Sequence, residues 1–147
     1  MIIKVAFYKG KGTFFNYCIR FLTCSIYSHV EIVFFNEGGK GISLISSSQR
    51  DGGVRYKKMQ RADFKYKNWT LIDAPKELLI QDLHQFFMDR EKYKYDFKGI
   101  FLSQFLPLKR HSKRRYFCSE FCAEVLGLSD PHIYSPQGLY AALTKNY

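Results

Sequence analysis

The stretch RYFCSEFCAEVLG, residues 115–127, puts Cys118 at the start of a segment with helical spacing, directly after the most basic run in the chain, LKRHSKRR. In the first turn of a helix, a thiolate is favoured by unpaired backbone N–H groups and by the positive end of the helix dipole, which lower its pKa from the free value of ~8.5. The lysines and arginines of the basic run add to that effect. Cys122 lies one turn further in, on the apolar side with Phe121 and Val125, and is the better core candidate of the two. A thiol nucleophile needs a base within hydrogen-bond reach and a third group to hold that base. In SHVEIVFF, His29 and Glu31 are two residues apart on a strand, so they share one face while Val30 points to the other. An imidazole with a carboxylate neighbour fits a general base with its orienting group. The same pair also reads as a surface His and Glu on a half-exposed strand, and a cysteine with a distant histidine is a weak signal by itself.

Other chemistries find less support. The four cysteines, Cys18, Cys24, Cys118 and Cys122, form no C-x-x-C pair, and no histidine pattern accompanies them, so neither structural zinc nor any cofactor is expected. GKG, residues 10–12, lacks the spacing of a phosphate-binding loop. His84 falls mid-helix between Leu83 and Phe86 and reads as structural or surface, His111 belongs to the basic run, and His132 to a loop.

The elements that would carry these residues follow from periodicity. IIKVAFYK alternates as a first strand, and Thr13 can cap a helix TFFNYCIRFLTC. On that helix Phe14, Tyr17, Cys18, Phe21 and Leu22 form an apolar stripe. It is expected to face the core rather than a membrane, because the polar face is short and carries a single Arg20. The strand SHVEIVFF ends at the NEGGKG turn, and ISLISSSQR is its hairpin partner. VRYKKM and WTLIDAP read as further strands, the second ended by Pro75. KELLIQDLHQFFMDREKY reads as an amphipathic helix with Leu78, Leu79, Leu83, Phe86 and Phe87 inward, and DFKGIFLSQFL as helical up to Pro107. Helices over 118–126 and 136–143 finish the chain, the last with Ser135 as N-cap and Pro136 at its first position. Strands first and helices later indicate an α+β fold with an antiparallel sheet and flanking helices.

At 147 residues and 46% hydrophobic, the chain matches one domain with a real core. The N-terminus lacks the run and cleavage site of a secretory signal, and no segment approaches the ~18 apolar residues of a membrane span. A cytoplasmic protein with reduced thiols is expected. A net charge of +10 favours acidic partners, whether nucleic acid, anionic lipid or an acidic protein, and the segment Lys109–Arg115 reads first as a solvated loop and second as the contact for nucleic acid or anionic lipid.

The SHVE strand, the YFCSEFCAEVLG helix start and YSPQGLYAAL near the C-terminus together resemble the circularly permuted branch of the NlpC-type papain-like cysteine hydrolases, the YiiX/YebB-like group. In that family the histidine strand precedes the cysteine helix. The resemblance spans nearly the whole chain, residues 1–147 as one hydrolase domain, although residues 55–108 carry no recognisable motif. It implies Cys118 as nucleophile, His29 as general base, and a peptide, amide or acyl-ester substrate. Glu31 is the choice for the third member, with Ser46 and Ser48 on the neighbouring strand as alternates. The backbone N–H of Cys118 would serve the oxyanion, and Tyr8 is a candidate to hydrogen-bond into the site.

A reading from another class is a basic module that binds nucleic acid or anionic lipid on the same fold. It draws on the charge and on the aromatics interleaved in VRYKKMQRADFKYK. It accounts for neither the His29/Glu31 pair nor a cysteine at a helix start.

Overall fold

A computed structural model of the protein describes residues 2–35, 38–75, 78, 80–96 and 115–145. The architecture is α+β, a sheet flanked by four helices. Strands β1 (Ile2–Tyr8), β2 (His29–Phe35), β3 (Gly41–Ser48), β4 (Gly53–Gln60), β5 (Trp69–Asp73), β6 (Lys94–Tyr95) and β7 (Arg115–Tyr116) lie in the order β5-β1-β2-β3-β4-β6-β7. The first six of these in space pair antiparallel, and β7 joins β6 in parallel. Helices α1 (Phe14–Leu22), α2 (Ile80–Arg90), α3 (Cys118–Val125) and α4 (Pro136–Thr144) complete it.

Period-2 alternation divides the central strands between two faces. Val30, Ile32 and Phe34 of β2 join Val5, Phe7 and Ile45 in the larger core, which Phe121, Cys122 and Ala123 of α3 and Leu139 of α4 complete from the helical side. Val33 and Phe35 face the other way, with Ala6, Leu44 and Phe64. His29 and Glu31 belong to that second face by the same alternation. α3 lies against β2 and β3. The expected strands and the end of β5 before Pro75 are all present, and Ser135 Oγ accepts the Gly138 N–H at 3.0 Å as the N-cap of α4. α2 ends at Arg90, short of the expected Tyr93. Leu83 is buried, and Leu78, Phe86 and Phe87 pack on the larger core as expected. Leu79 and the helix read over DFKGIFLSQFL from residue 97 onward lie outside the described residues.

The apolar stripe of α1 does not face the core. Phe14, Tyr17 and Phe21 are exposed, Cys18 and Leu22 half-buried, and the inward residue is Ile19, packed with Tyr95, Phe117 and Phe15. Polar anchors decide the orientation. Asn16 Nδ2 donates to Ser28 Oγ at 3.0 Å, while Arg20 reaches Ser28 Oγ at 3.2 Å, the Lys11 carbonyl at 3.2 Å and the Gly10 carbonyl. Several hydrogen bonds from a guanidinium to neighbouring loop groups cannot be formed with that side chain turned to water, so the aromatic side turns outward instead.

β6 reaches the sheet through one close approach. A Cβ on Gly53 would collide with the Tyr93 carbonyl oxygen and lie 2.9 Å from Lys94 Cα. Because Tyr93 O also accepts the Val54 N–H at 2.9 Å, the β4–β6 contact has no room to widen. Gly53→Ala is therefore expected to destabilise the fold by about 2 kcal/mol, measured by urea unfolding; an unchanged midpoint would mean that β6 is not fixed here.

Candidate active site

His29 opens β2 and pairs across the sheet with Tyr8 of β1. Its Nε2 lies 3.0 Å from Glu31 Oε1, which also accepts from the Arg55 guanidinium at 2.6 Å. Arg55 stands on β4 opposite Ser46, and its Nε forms an ion pair with Asp51 Oδ2 at 2.6 Å across the Gly52–Gly53 turn. The result is an alternating chain of charges, Asp51, Arg55, Glu31, His29. Glu31 is 3% exposed, a position where an ionised carboxylate costs several kcal/mol unless it is paired. Burial works to raise its pKa, but the hydrogen bond and charge of His29 and the charges of Arg55 and Lys57 outweigh it and hold the carboxyl below its usual range. Among the described residues Glu31 Oε2 has no hydrogen-bond partner, so the whole load falls on Oε1.

Cys118 is the first residue of α3, after Phe117 as N-cap. Short strand β7 leads into it, and the Ser47 hydroxyl donates to the Tyr116 carbonyl at 2.6 Å, which fixes the helix start against the end of β3. His29 also lies within electrostatic reach of Cys118, whose charge and hydrogen-bonding sulfur act on the imidazole. Burial alone would lower the His29 pKa, but the charge of Cys118, its hydrogen bond and the Glu31 pair prevail and raise it to about 9. The imidazole is thus held in its charged form at neutral pH.

The structure brings Cys118, His29 and Glu31 together, while of the alternates Ser46, on β3, sits opposite Arg55 and Ser48 lines the same cleft as His29 and Glu31. Ser46 Oγ donates to the Val30 carbonyl at 2.6 Å and bonds with Cys122. Cys122 is fully buried, and desolvation, with the charges of Cys118 and Glu31, pushes its thiol well above the ordinary value. Ser48 stands at the end of β3 on the rim of a cleft of about 620 Å³ whose walls include Tyr8, His29, Arg55, Lys57 and Trp69. Trp69 stacks on Phe64 and meets Tyr8 and His29 ring to ring, at centroid distances of 5.5, 4.9 and 6.4 Å. His84 is exposed, His132 sits in the 3₁₀ turn Pro131–Ile133, which packs against α3, and residues 109–114 of the basic segment lie outside the described residues. No group of three or more His, Cys, Asp or Glu side chains among the described residues is arranged to hold a metal ion.

Two features escape a reading of the sequence alone. Arg55 looks like one more basic residue in VRYKKM; the sign that it differs is its (i, i+4) spacing from Asp51 across a Gly-Gly turn. Tyr95, whose hydroxyl is pushed well up by burial and then by the charge of Cys118, sits beside the sulfur only because β6 is pinned to Gly53. Its ring meets Phe15 of α1 edge-on at 6.0 Å, and Cys118 itself has no exposed surface. Phe15 and Tyr95 both line the cleft, and Cys118 is not among its lining residues. No protein-family model and no curated protein matches the chain.

Three outcomes follow from this geometry. Arg55→Met leaves Glu31 buried with His29 as its sole direct partner and is expected to cost about 3 kcal/mol in urea unfolding; a loss within experimental error would show that Arg55 carries no part of the network. The raised His29 pKa contributes stability that is complete below its ordinary value of 6.5 and is lost as pH rises through about 9, whereas Glu31 contributes above 4.5 and loses its share as pH falls. Unfolding free energies of wild type and His29→Gln are therefore expected to converge between pH 6.5 and 9, and a gap that widens over this range would contradict the assignment. Finally, Phe15→Ala is expected to speed alkylation of Cys118 by a bulky maleimide several-fold; an unchanged rate would mean that the sulfur is reached by another path.

Proposed function

We propose that the protein is a cysteine hydrolase that cleaves an amide, ester or thioester through an acyl-enzyme at Cys118, on a circularly permuted papain-like fold. The observation that carries this reading is that His29, held by Glu31 at 3.0 Å, lies within electrostatic reach of Cys118 at the start of α3. A charged imidazole beside a cysteine at a helix start is the arrangement that thiolate nucleophiles use. The chain order, with the histidine strand β2 before the cysteine helix α3, and the packing of α3 on β2 and β3, support the permuted topology.

In this mechanism Cys118 Sγ, as thiolate, attacks the carbonyl carbon of the substrate and the C=O π electrons move to oxygen. N–H groups in the first turn of α3 have no intrahelical partner and can receive that oxyanion. As the tetrahedral adduct collapses, the His29 imidazolium gives its proton to the departing amine, alkoxide or thiolate, and the acyl group stays on sulfur. Neutral His29 then takes a proton from water, whose oxygen attacks the thioester carbonyl. Collapse of this second adduct expels the Cys118 thiolate, releases the acid and leaves His29 protonated as at the start. Glu31 holds the ring orientation and stabilises the imidazolium, and Arg55, acting through Glu31, is a positioning residue. The substrate reaches the sulfur from the cleft by displacing the Phe15–Tyr95 contact, which ties acylation to movement at the start of α1.

The test is intact-mass analysis after exposure to activated acyl thioesters. One acyl adduct is expected on the wild type and none on Cys118→Ala. Glu31→Gln should keep the fold yet slow acylation, by less than the loss in Cys118→Ala and within the roughly 10²–10⁴ that general acid–base catalysis contributes. Labelling that persists in Cys118→Ala would contradict the mechanism.

A further inference from the structure

Among the described residues, nothing packs against the outward face of α1. Phe14 is 81% exposed, Tyr17 63% and Phe21 72%, and Ile26, just beyond the helix, is 62% exposed. Spacings of three and four place Phe14, Tyr17 and Phe21 on one side of the helix. This side is not exposed through looseness. The opposite side is held by Ile19, which is buried, by Asn16 on Ser28, and by Arg20 on the carbonyls of Gly10 and Lys11. The helix is amphipathic in the reverse sense to an ordinary surface helix, with its polar anchors inward and its aromatic rings in water.

We propose that this face docks the protein on an anionic lipid bilayer, with α1 lying in the plane of the interface. Several observations select a bilayer. Nine residues at ~1.5 Å each span about 13 Å, far less than the ~30 Å hydrocarbon thickness, so the helix can lie on a membrane and not cross it. A face that short and about 10 Å wide offers on the order of 130 Å², a small part of the roughly 800 Å² per partner that a stable protein interface needs. A lipid surface sets no such threshold, because a few inserted aromatic rings and charge attraction suffice to hold an interfacial helix. Charge complementarity is present as well: exposed Lys9 and Lys11 lead into the helix, and the chain carries a net charge of +10.

Docking in this orientation has a geometric consequence. Gly12, Thr13, Phe15 and Asn16, from the loop before α1 and its first turn, form part of the cleft wall that also holds His29. A bilayer on the outer side of α1 would therefore lie one helix away from the cleft. The docking claim does not depend on the hydrolase reading, because its test measures binding and uses no substrate.

The experiment is co-sedimentation of the full chain with phosphatidylcholine vesicles, with and without phosphatidylglycerol, at low ionic strength. Binding is expected with phosphatidylglycerol and should fall as salt is added. Phe14→Ser/Phe21→Ser should weaken it by about tenfold or more with an unchanged circular dichroism spectrum, since both side chains already face water. Lys9→Gln/Lys11→Gln should remove part of the phosphatidylglycerol dependence. The proposal is overturned if the wild type fails to bind at low salt. It is equally overturned if the Phe14/Phe21 variant binds as tightly as the wild type, which would place attachment elsewhere on the basic surface. A wild-type dimer in vesicle-free solution, lost in that variant while neither protein binds vesicles, would assign the face to a second copy of the chain and also overturn it.

Discussion

One carboxylate oxygen organises the centre of this protein. Glu31 Oε1 receives His29 from its own strand and Arg55 from two strands away, so a single buried acceptor ties β2 to β4 across β3. Removing an unpaired carboxylate from water is too costly for a fold of marginal stability to carry. Glu31 must therefore be paired wherever it is buried, and its pairing fixes the His29 ring. Everything around it serves the same end. Asp51 holds Arg55 from the solvent side, Ser46 and Ser47 spend their hydroxyls on the carbonyls of Val30 and Tyr116, and the cysteine helix is thereby set against the end of β3. One face of β2 is given wholly to the larger core, while the other carries His29 and Glu31 at its start and Val33 and Phe35 of a second apolar cluster at its end.

Above this centre lies a helix whose orientation reverses its own hydrophobic pattern. Packing of α1 by its aromatic stripe would leave Arg20 and Asn16 on the outside and the carbonyls of Gly10 and Lys11 without the donor they now share. The observed orientation satisfies those groups and contributes Phe15 and Ile19 to a small third cluster with Tyr95 and Phe117. That cluster neighbours the cysteine through Phe117, which precedes it, and Tyr95. The same helix thus contributes to the cleft wall and carries an exposed aromatic surface.

Much of this could be read from residues alone, and the reasons differ from case to case. Strands β1 to β5 follow from short-range alternation and turn chemistry, both of which are local properties of the chain. His29 and Glu31 share a face because of strand geometry, whatever the tertiary fold. Cys118 could be placed at a helix start from its spacing to Cys122 and Val125. The direction in which α1 faces could not be read in this way, because periodicity identifies a stripe and says nothing of whether buried carbonyls elsewhere compete for the polar side. Arg55 and Tyr95 are long-range features. One depends on pairing across three strands and the other on the absence of a side chain at Gly53, and neither leaves a mark in the residues adjacent to it. The parallel step from β6 to β7 is equally non-local, joining residues on either side of a segment outside the described residues.

The central claim is that His29 is charged at neutral pH because Cys118 and Glu31 hold it so. Nuclear magnetic resonance titration of the His29 ring tests this most directly, in wild type and in Cys118→Ala. A wild-type midpoint near 9 is expected, and a lower midpoint in the variant, where the charge and hydrogen bond of the sulfur are gone while burial continues to oppose protonation. A wild-type midpoint at the ordinary value of 6.5, unmoved by Cys118→Ala, would show that the two side chains do not share a proton and would contradict the account.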